Sequence, residues 1–268
     1  MAELKLCAGA WGFRKVAIPA YLDACAALGF RYAEMNLTNA AGTKHLGEDP
    51  SGTALDAMAA AEKASGVKIV CLCGGSDFTE PEKAAASVAQ VNGYVDIAAD
   101  YGIEVVRVFA GWTPFERLAP DCYDRCAAGL AEVGEHARGK SVLIALENHG
   151  GPTATGAQVR RILELADHPN VQANFDGGNF AMAKEDPLSA WLVLRGRIGY
   201  THWKDVRVAG GKLEYCALGD GITDWAPLVR ALLADGYAGY WAMEYEEPSD
   251  VEAGMRKCID VVQAAAGR

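Results

Sequence analysis

The sequence predicts a single-domain α/β protein, a closed (β/α)₈ barrel over residues 1–268, and three observations point there. Apolar runs of four to seven residues alternate with longer segments of helical period from one end of the chain to the other. Eight such pairs fit into about 250 residues, the usual size of one barrel. The runs are almost continuously apolar, as strands covered on both faces are. An open doubly wound sheet is the competing arrangement on pattern alone. No low-complexity linker or charge block divides the chain, so one domain is expected.

Strands are predicted to begin at Leu4, Tyr32, Val67, Glu104, Val142, Val171, Ile198 and Ala238. Apolar residues at i, i+3, i+4 spacing predict helices over Ile18–Leu28, Thr53–Ala64, Ala84–Tyr101, Cys122–Ala137, Ala157–Ala166, Pro187–Leu194, Trp225–Leu233 and Val251–Val262. Gly29, Gly66, Gly102, Gly139 and Gly236 stand where helix C-terminal caps fall. Thr223-Asp224 precedes the seventh helix, and Ser249-Asp250-Val251-Glu252 has capping-box spacing before the eighth.

Composition removes several classes of function. The net charge of −10 and pI near 5.0 give no bare attraction to phosphate backbones or anionic lipid, so neither nucleic acid nor membrane is an expected partner. No apolar stretch reaches the roughly 18 residues that span a bilayer, and the N-terminus runs into a strand without a signal-peptide core. A cytoplasmic location is the expectation. The eight cysteines lie in apolar or helical runs without a C-x-x-C and read as reduced, buried thiols.

Four polar side chains each close an apolar run: Glu147 ends Val142–Glu147, Asp176 ends Val171–Asp176, His202 ends Ile198–His202 and Glu244 ends Tyr240–Glu244. Active groups of such barrels sit where strands end. Intervals of 29, 26 and 42 residues (147 to 176, 176 to 202, 202 to 244) place them on strands five to eight, so barrel closure makes them neighbours. Two Glu, one Asp and one His form a hard donor set, suited to one Mn²⁺, Mg²⁺ or Co²⁺ and admitting Zn²⁺, with Mn²⁺ the leading expectation.

The segments Ala145–Gly151, Asn174–Phe180, Thr201–Asp205, Gly219–Gly221 and Met243–Tyr245, with Gly9–Gly12 and Tyr32–Asn36, resemble those of the xylose-isomerase-like TIM barrel, or sugar phosphate isomerase/epimerase, superfamily. The resemblance extends over essentially the whole chain. It implies that Glu147, Asp176, His202 and Glu244 hold a divalent metal and that the two glutamates are catalytic, moving a proton. It further implies a metal-dependent isomerase or epimerase of a small sugar or keto-sugar. Such an enzyme removes a proton next to a carbonyl, and a divalent ion stabilises the enediolate as a Lewis acid.

Around the four, Lys204 lies two residues past His202 and is placed to neutralise an oxyanion. His149, two past Glu147, is expected either at a substrate hydroxyl or behind Glu147. Arg107 is expected inside the barrel, paired with Glu147 or Glu34. Trp11, Phe13, Trp112 and Trp203 lie near strand ends, where aromatic faces line sugar pockets. Asn179 stands where the ketose 3-epimerases resembling this scaffold have a histidine, and Val208 where they have an arginine. Both departures count against a strict 3-epimerase. Xylose isomerases proper carry a second metal on further acids after the strand-seven histidine; only Asp205 stands there, so one metal is expected.

The first competing function is a dehydratase (lyase) of inosose or keto-sugar type, which shares the proton abstraction but expels a β-hydroxyl. An abasic-site endonuclease with a histidine-rich trinuclear zinc site fits poorly with five histidines and an acidic balance. A non-catalytic sugar-binding barrel leaves Glu147 and Glu244 unexplained. The loop Leu218–Trp225 lacks phosphate-loop spacing and reads as a structured lid or rim. A carbohydrate is thus the expected ligand. Homo-oligomers are common among such barrels, although no exposed stripe singles out an interface.

Overall fold

A computed structural model describes residues 4–268; Met1–Glu3, part of the expected 1–268 domain, lie outside the described residues. Eight strands close a barrel: β1 (Lys5–Ala8), β2 (Tyr32–Leu37), β3 (Lys68–Gly74), β4 (Val105–Phe109), β5 (Leu143–Glu147), β6 (Val171–Asp176), β7 (Ile198–Trp203) and β10 (Tyr240–Met243). Their order is β1-β10-β7-β6-β5-β4-β3-β2, which is chain order closed into a ring, so the open-sheet alternative falls. Helices α1 (Ile18–Ala27), α2 (Gly52–Ser65), α3 (Pro81–Tyr101), α4 (Cys122–His136), α5 (Gly156–Ala166), α7 (Pro187–Leu194), α8 (Ala226–Ala234) and α9 (Val251–Ala265) occupy the predicted places.

The strands form because β-branched runs such as Ile69-Val70 and Val105-Val106 suit a pleated surface. They stay because both faces are covered: every residue of β10 and all but the first of β3 and β5 are buried. Each fully buried Val, Leu or Ile contributes about 1.5–3 kcal/mol. Gly66 and Gly102 end α2 and α3 at φ 71° and 67°, the left-handed cap that a side chain would strain. All eight cysteines are buried thiols outside any disulfide. Among the described residues no helix is long and apolar enough to cross a membrane.

Contacts fall into two compact units, one made by the chain up to Ile69 with Thr201–Arg268, the other by Val70–Tyr200. In the first, the Trp203 and Trp241 rings stack at 4.9 Å, and Trp225 and Tyr237 meet them edge-on at 5.8 and 5.6 Å. In the second, Phe175 packs on Phe180 at 5.1 Å, and Gly129 and Gly134 let α4 approach Phe78 and His168 where a methyl would clash.

Three local expectations need correction or addition. A short helix, α6 (Gly177–Met182), follows β6 directly, and two leading glycines without helical period hid it. A hairpin of β8 (Asp205–Ala209) and β9 (Lys212–Cys216) follows β7, turning at Gly210-Gly211 with φ 58° and 77°. That glycine pair between alternating residues is the signature of a two-residue hairpin turn. The expected capping box between Ser249 and Glu252 does not form, because α9 has Asp250 and not Ser249 at its N-cap, and the Asp250 carboxylate accepts from the Tyr245 hydroxyl (2.8 Å) instead of from the helix. A complete capping box exists at α5, between Thr155 and Gln158.

The rim loop after β9 is structured through Asp205. Its carboxylate accepts from the indole N–H of Trp225 (2.8 Å) and the backbone N–H groups of Val206 (2.8 Å) and Gly219 (3.3 Å).

Between β2 and α2, His45 takes an amide proton of Asn36 on Nδ1 (3.2 Å) and lies 4.9 Å from the Tyr21 ring. Burial pushes its imidazole down to about 4 from an ordinary 6.5. The folded chain therefore binds this proton less tightly than the unfolded chain. The stability from neutral His45 is full above about pH 6.5 and is lost as pH falls toward 4. Urea unfolding at pH 7.5 and 5.0 should show wild type losing up to about 2 kcal/mol more than His45→Gln. Equal losses would refute this role.

Candidate metal centre

Strand register brings the predicted ligands together in pairs. Glu147 on β5 is level with Asn174 on β6, so Asp176 stands one pleat further along on the same face. His202 on β7 is level with Ala242 on β10, so Glu244 likewise stands one pleat beyond it. All four are buried, with exposures of 2% for Glu147, 0% for Asp176, 1% for His202 and 5% for Glu244. Burial at this depth requires each charge to be compensated.

On the β4–β6 side, Arg107 Nε lies 3.1 Å from Glu147 Oε2 and its guanidinium stacks 4.1 Å over Phe109. Asn179 at the start of α6 donates an amide proton to Glu147 Oε1 (3.0 Å). Asp176 caps the same helix, its Oδ1 accepting the Asn179 N–H (2.9 Å). Asn148 ties the two strand ends, donating to the Asp176 carbonyl (2.9 Å) and accepting the Asp176 N–H (2.8 Å). Two carboxylates here face one guanidinium.

On the β7–β10 side, Lys204 Nζ donates to Glu244 Oε2 (2.7 Å) and Glu246 Oε1 (2.5 Å). His202 Nδ1 lies 3.1 Å from Glu244 Oε2 and its Nε2 lies 2.8 Å from Glu34 Oε1. Burial alone would raise the Glu244 carboxyl. The charges of His202 and Lys204, with their hydrogen bonds, outweigh it and hold Glu244 well below the usual carboxylate range. Three carboxylates here face one ammonium and one imidazole.

Glu147, Asp176, His202 and Glu244 each offer one ligand atom, and these atoms all lie within 4.8 Å of one another. Hard oxygen donors plus one imidazole, buried and short of positive charge, fit a divalent cation. Glu34, Cys73 and His202 form a second such group, sharing the histidine.

The remaining predicted residues divide. Arg107, Asn179 and Lys204 hold the two glutamates. His149 is exposed, its ring edge-on to Phe109 (5.3 Å) and Trp112 (5.4 Å), because the chain turns outward through Gly150 at φ 75°. Trp112 is 52% exposed and lines a cleft of about 420 Å³ with Asp77, Lys83 and Arg125. Trp11 is half-buried beneath the Arg14 guanidinium (4.9 Å). Phe13 and Trp203 are core residues. Asp77 spends its carboxylate on Thr79 and Lys83. Sequence reasoning missed Asn148 and Glu246; the latter could have been found two residues past Glu244, in the same strand phase.

Removing one partner of a buried ion pair strands the other. In metal-free protein, Arg107→Met should cost about 3–5 kcal/mol in urea unfolding, and adding Glu147→Gln should recover much of it. A double variant no more stable than Arg107→Met would contradict the pairing.

Comparison with known proteins gives the same family. The family model described as xylose isomerase-like TIM barrel matches residues 22–265. Inosose dehydratase of Lacticaseibacillus casei is 31% identical over 143 residues, 47% of this chain and 48% of that one, so the match spans about half of the relative's length. The crystal structure of the IOLI protein with a bound zinc atom superposes with a TM-score of 0.81 at 18% identity, covering 98% of each chain. That of 3-keto-D-glucoside 4-epimerase from E. coli gives a TM-score of 0.75 at 19% identity, covering 98% of this chain and 100% of that one. By its matched length and its closed barrel, this chain belongs to the xylose isomerase-like TIM barrel family.

Proposed function

We propose that this chain is a divalent-metal-dependent isomerase or epimerase of a small sugar or keto-sugar, in which Glu147 and Glu244 transfer the proton. The observation that carries the reading is the buried grouping of two glutamates with Asp176 and His202, their ligand atoms within 4.8 Å. Pure binding needs no paired proton-transfer groups, whereas epimerisation inverts a carbon, which a base on one face of the substrate and an acid on the other accomplish. When bound, a divalent cation supplies Lewis acidity that stabilises the enediolate next to a carbonyl.

Each glutamate is fixed by its own partners. Arg107 and Asn179 set the Glu147 carboxylate; Lys204 sets that of Glu244, and the charges of His202 and Lys204 together hold it well below the usual carboxylate range against burial. The Lys204 ammonium also balances negative charge developing on substrate oxygen. The exposed His149 and Trp112 rings offer a surface against which the apolar face of a sugar can lie. Mn²⁺ is the ion proposed for the site; the zinc in the IOLI structure makes Zn²⁺ the second choice.

A dehydratase is the second reading, and the match to inosose dehydratase favours it. Both reactions begin with the same proton abstraction. They part afterwards, since a dehydratase loses water and an epimerase returns the proton.

Incubation with ketoses, aldoses and inososes in D₂O with Mn²⁺, followed by NMR and mass spectrometry, tests both. The expected result is deuterium at the carbon next to the carbonyl without loss of water; loss of water selects the dehydratase. Glu147→Gln and Glu244→Gln should each lower exchange by about 10²–10⁴-fold with the fold intact. Near wild-type exchange in both variants would refute the assigned proton-transfer roles.

A further inference from the structure

We propose that Glu34 is a positioning residue for His202: it holds the Nε2 proton and thereby presents Nδ1 to the cation. This role rests on the metal reading above. His202 Nε2 and Glu34 Oε1 are 2.8 Å apart, and each residue is 1% exposed. The other ring nitrogen faces Glu244 Oε2 at 3.1 Å, so the imidazole lies between two carboxylates of different use. One belongs to the ligand set and the other does not share that grouping.

An imidazole that ligates a metal through one nitrogen does so as the tautomer whose proton sits on the other. A carboxylate at the far nitrogen selects that tautomer, fixes the plane of the ring and makes the ligating nitrogen more basic.

Glu34 is itself anchored. Its Oε2 accepts the Ala10 N–H (3.1 Å), and the Tyr21 hydroxyl donates to its backbone carbonyl and to that of Ala8 (3.1 Å each). Tyr21 packs against Phe13 at 5.0 Å and is fully buried. The segment after β1 thus holds the Glu34 carboxylate through Ala10 N–H, and α1 holds the Glu34 backbone through Tyr21, so the carboxylate that faces the His202 imidazole is fixed from both ends. Both Glu34 carboxylate oxygens are engaged, Oε1 with His202 Nε2 and Oε2 with the Ala10 N–H, so its influence passes through His202.

Cobalt(II) titration of the whole chain, read by visible absorption, tests this. Wild type should bind one Co²⁺ without a thiolate charge-transfer band. Glu34→Ala should weaken binding by about 10–100-fold and alter the d–d spectrum; Glu34→Gln, which keeps an acceptor but loses the charge, should fall between. A merely structural role would shift the urea midpoint of the metal-free variants and leave cobalt affinity and spectrum unchanged, which would overturn the proposal. If Glu34→Ala does not fold, Glu34→Gln alone carries the comparison. A thiolate band in wild type would place the ion on Glu34, Cys73 and His202 and also overturn it. A wild-type chain that binds no cobalt would instead defeat the metal reading itself.

Discussion

Concentration of negative charge at the ends of β5, β6 and β10 is the constraint from which the rest of the site follows. Glu147, Asp176 and Glu244 are at most 5% exposed, where an uncompensated carboxylate costs several kcal/mol. The fold answers with fixed cations. Arg107 rises from β4 beside Glu147, and Lys204 stands just past β7 beside Glu244. Neither side is neutralised by these alone. The remainder is a demand for positive charge, which the single ion proposed for these donors would meet.

That arrangement is made by backbone register. Parallel pairing sets Glu147 level with Asn174 and His202 level with Ala242, so each second ligand rises one pleat above the first. Small polar groups then lock the strand ends: Asn148 bridges β5 to β6 with two hydrogen bonds, and Asp176 caps α6 through Oδ1. Hydrogen bonds to carboxylates and backbone thus fix the side chains proposed as ligands. Preorganisation of this kind lowers the cost of binding.

Much of this could be read from the chain. Glu147, Asp176, His202 and Glu244 stand out because a charged or imidazole group buried at the end of an apolar run needs partners, and eight strand–helix pairs favour a barrel over an open sheet. Partners that reach across strands were less legible. Asn148 and Asn179 follow ligands in sequence, yet nothing local shows that one joins strand ends and the other reaches Glu147. Glu34 is separated from His202 by 168 residues, and only the fold makes them neighbours. Helix α6 and the β8–β9 hairpin are less legible for a different reason: both are short, and the pairs Gly177-Gly178 and Gly210-Gly211 carry no apolar period. The capping box at Ser249 fails because spacing does not show that Asp250 is the N-cap of α9, with its carboxylate on the Tyr245 hydroxyl.

Anomalous diffraction from crystals grown with Mn²⁺ measures the central claim directly. The expected result is a single peak within about 2.0–2.4 Å of one oxygen each from Glu147, Asp176 and Glu244 and of His202 Nδ1. A map with no peak among these four residues, or with manganese bound only elsewhere, would contradict it.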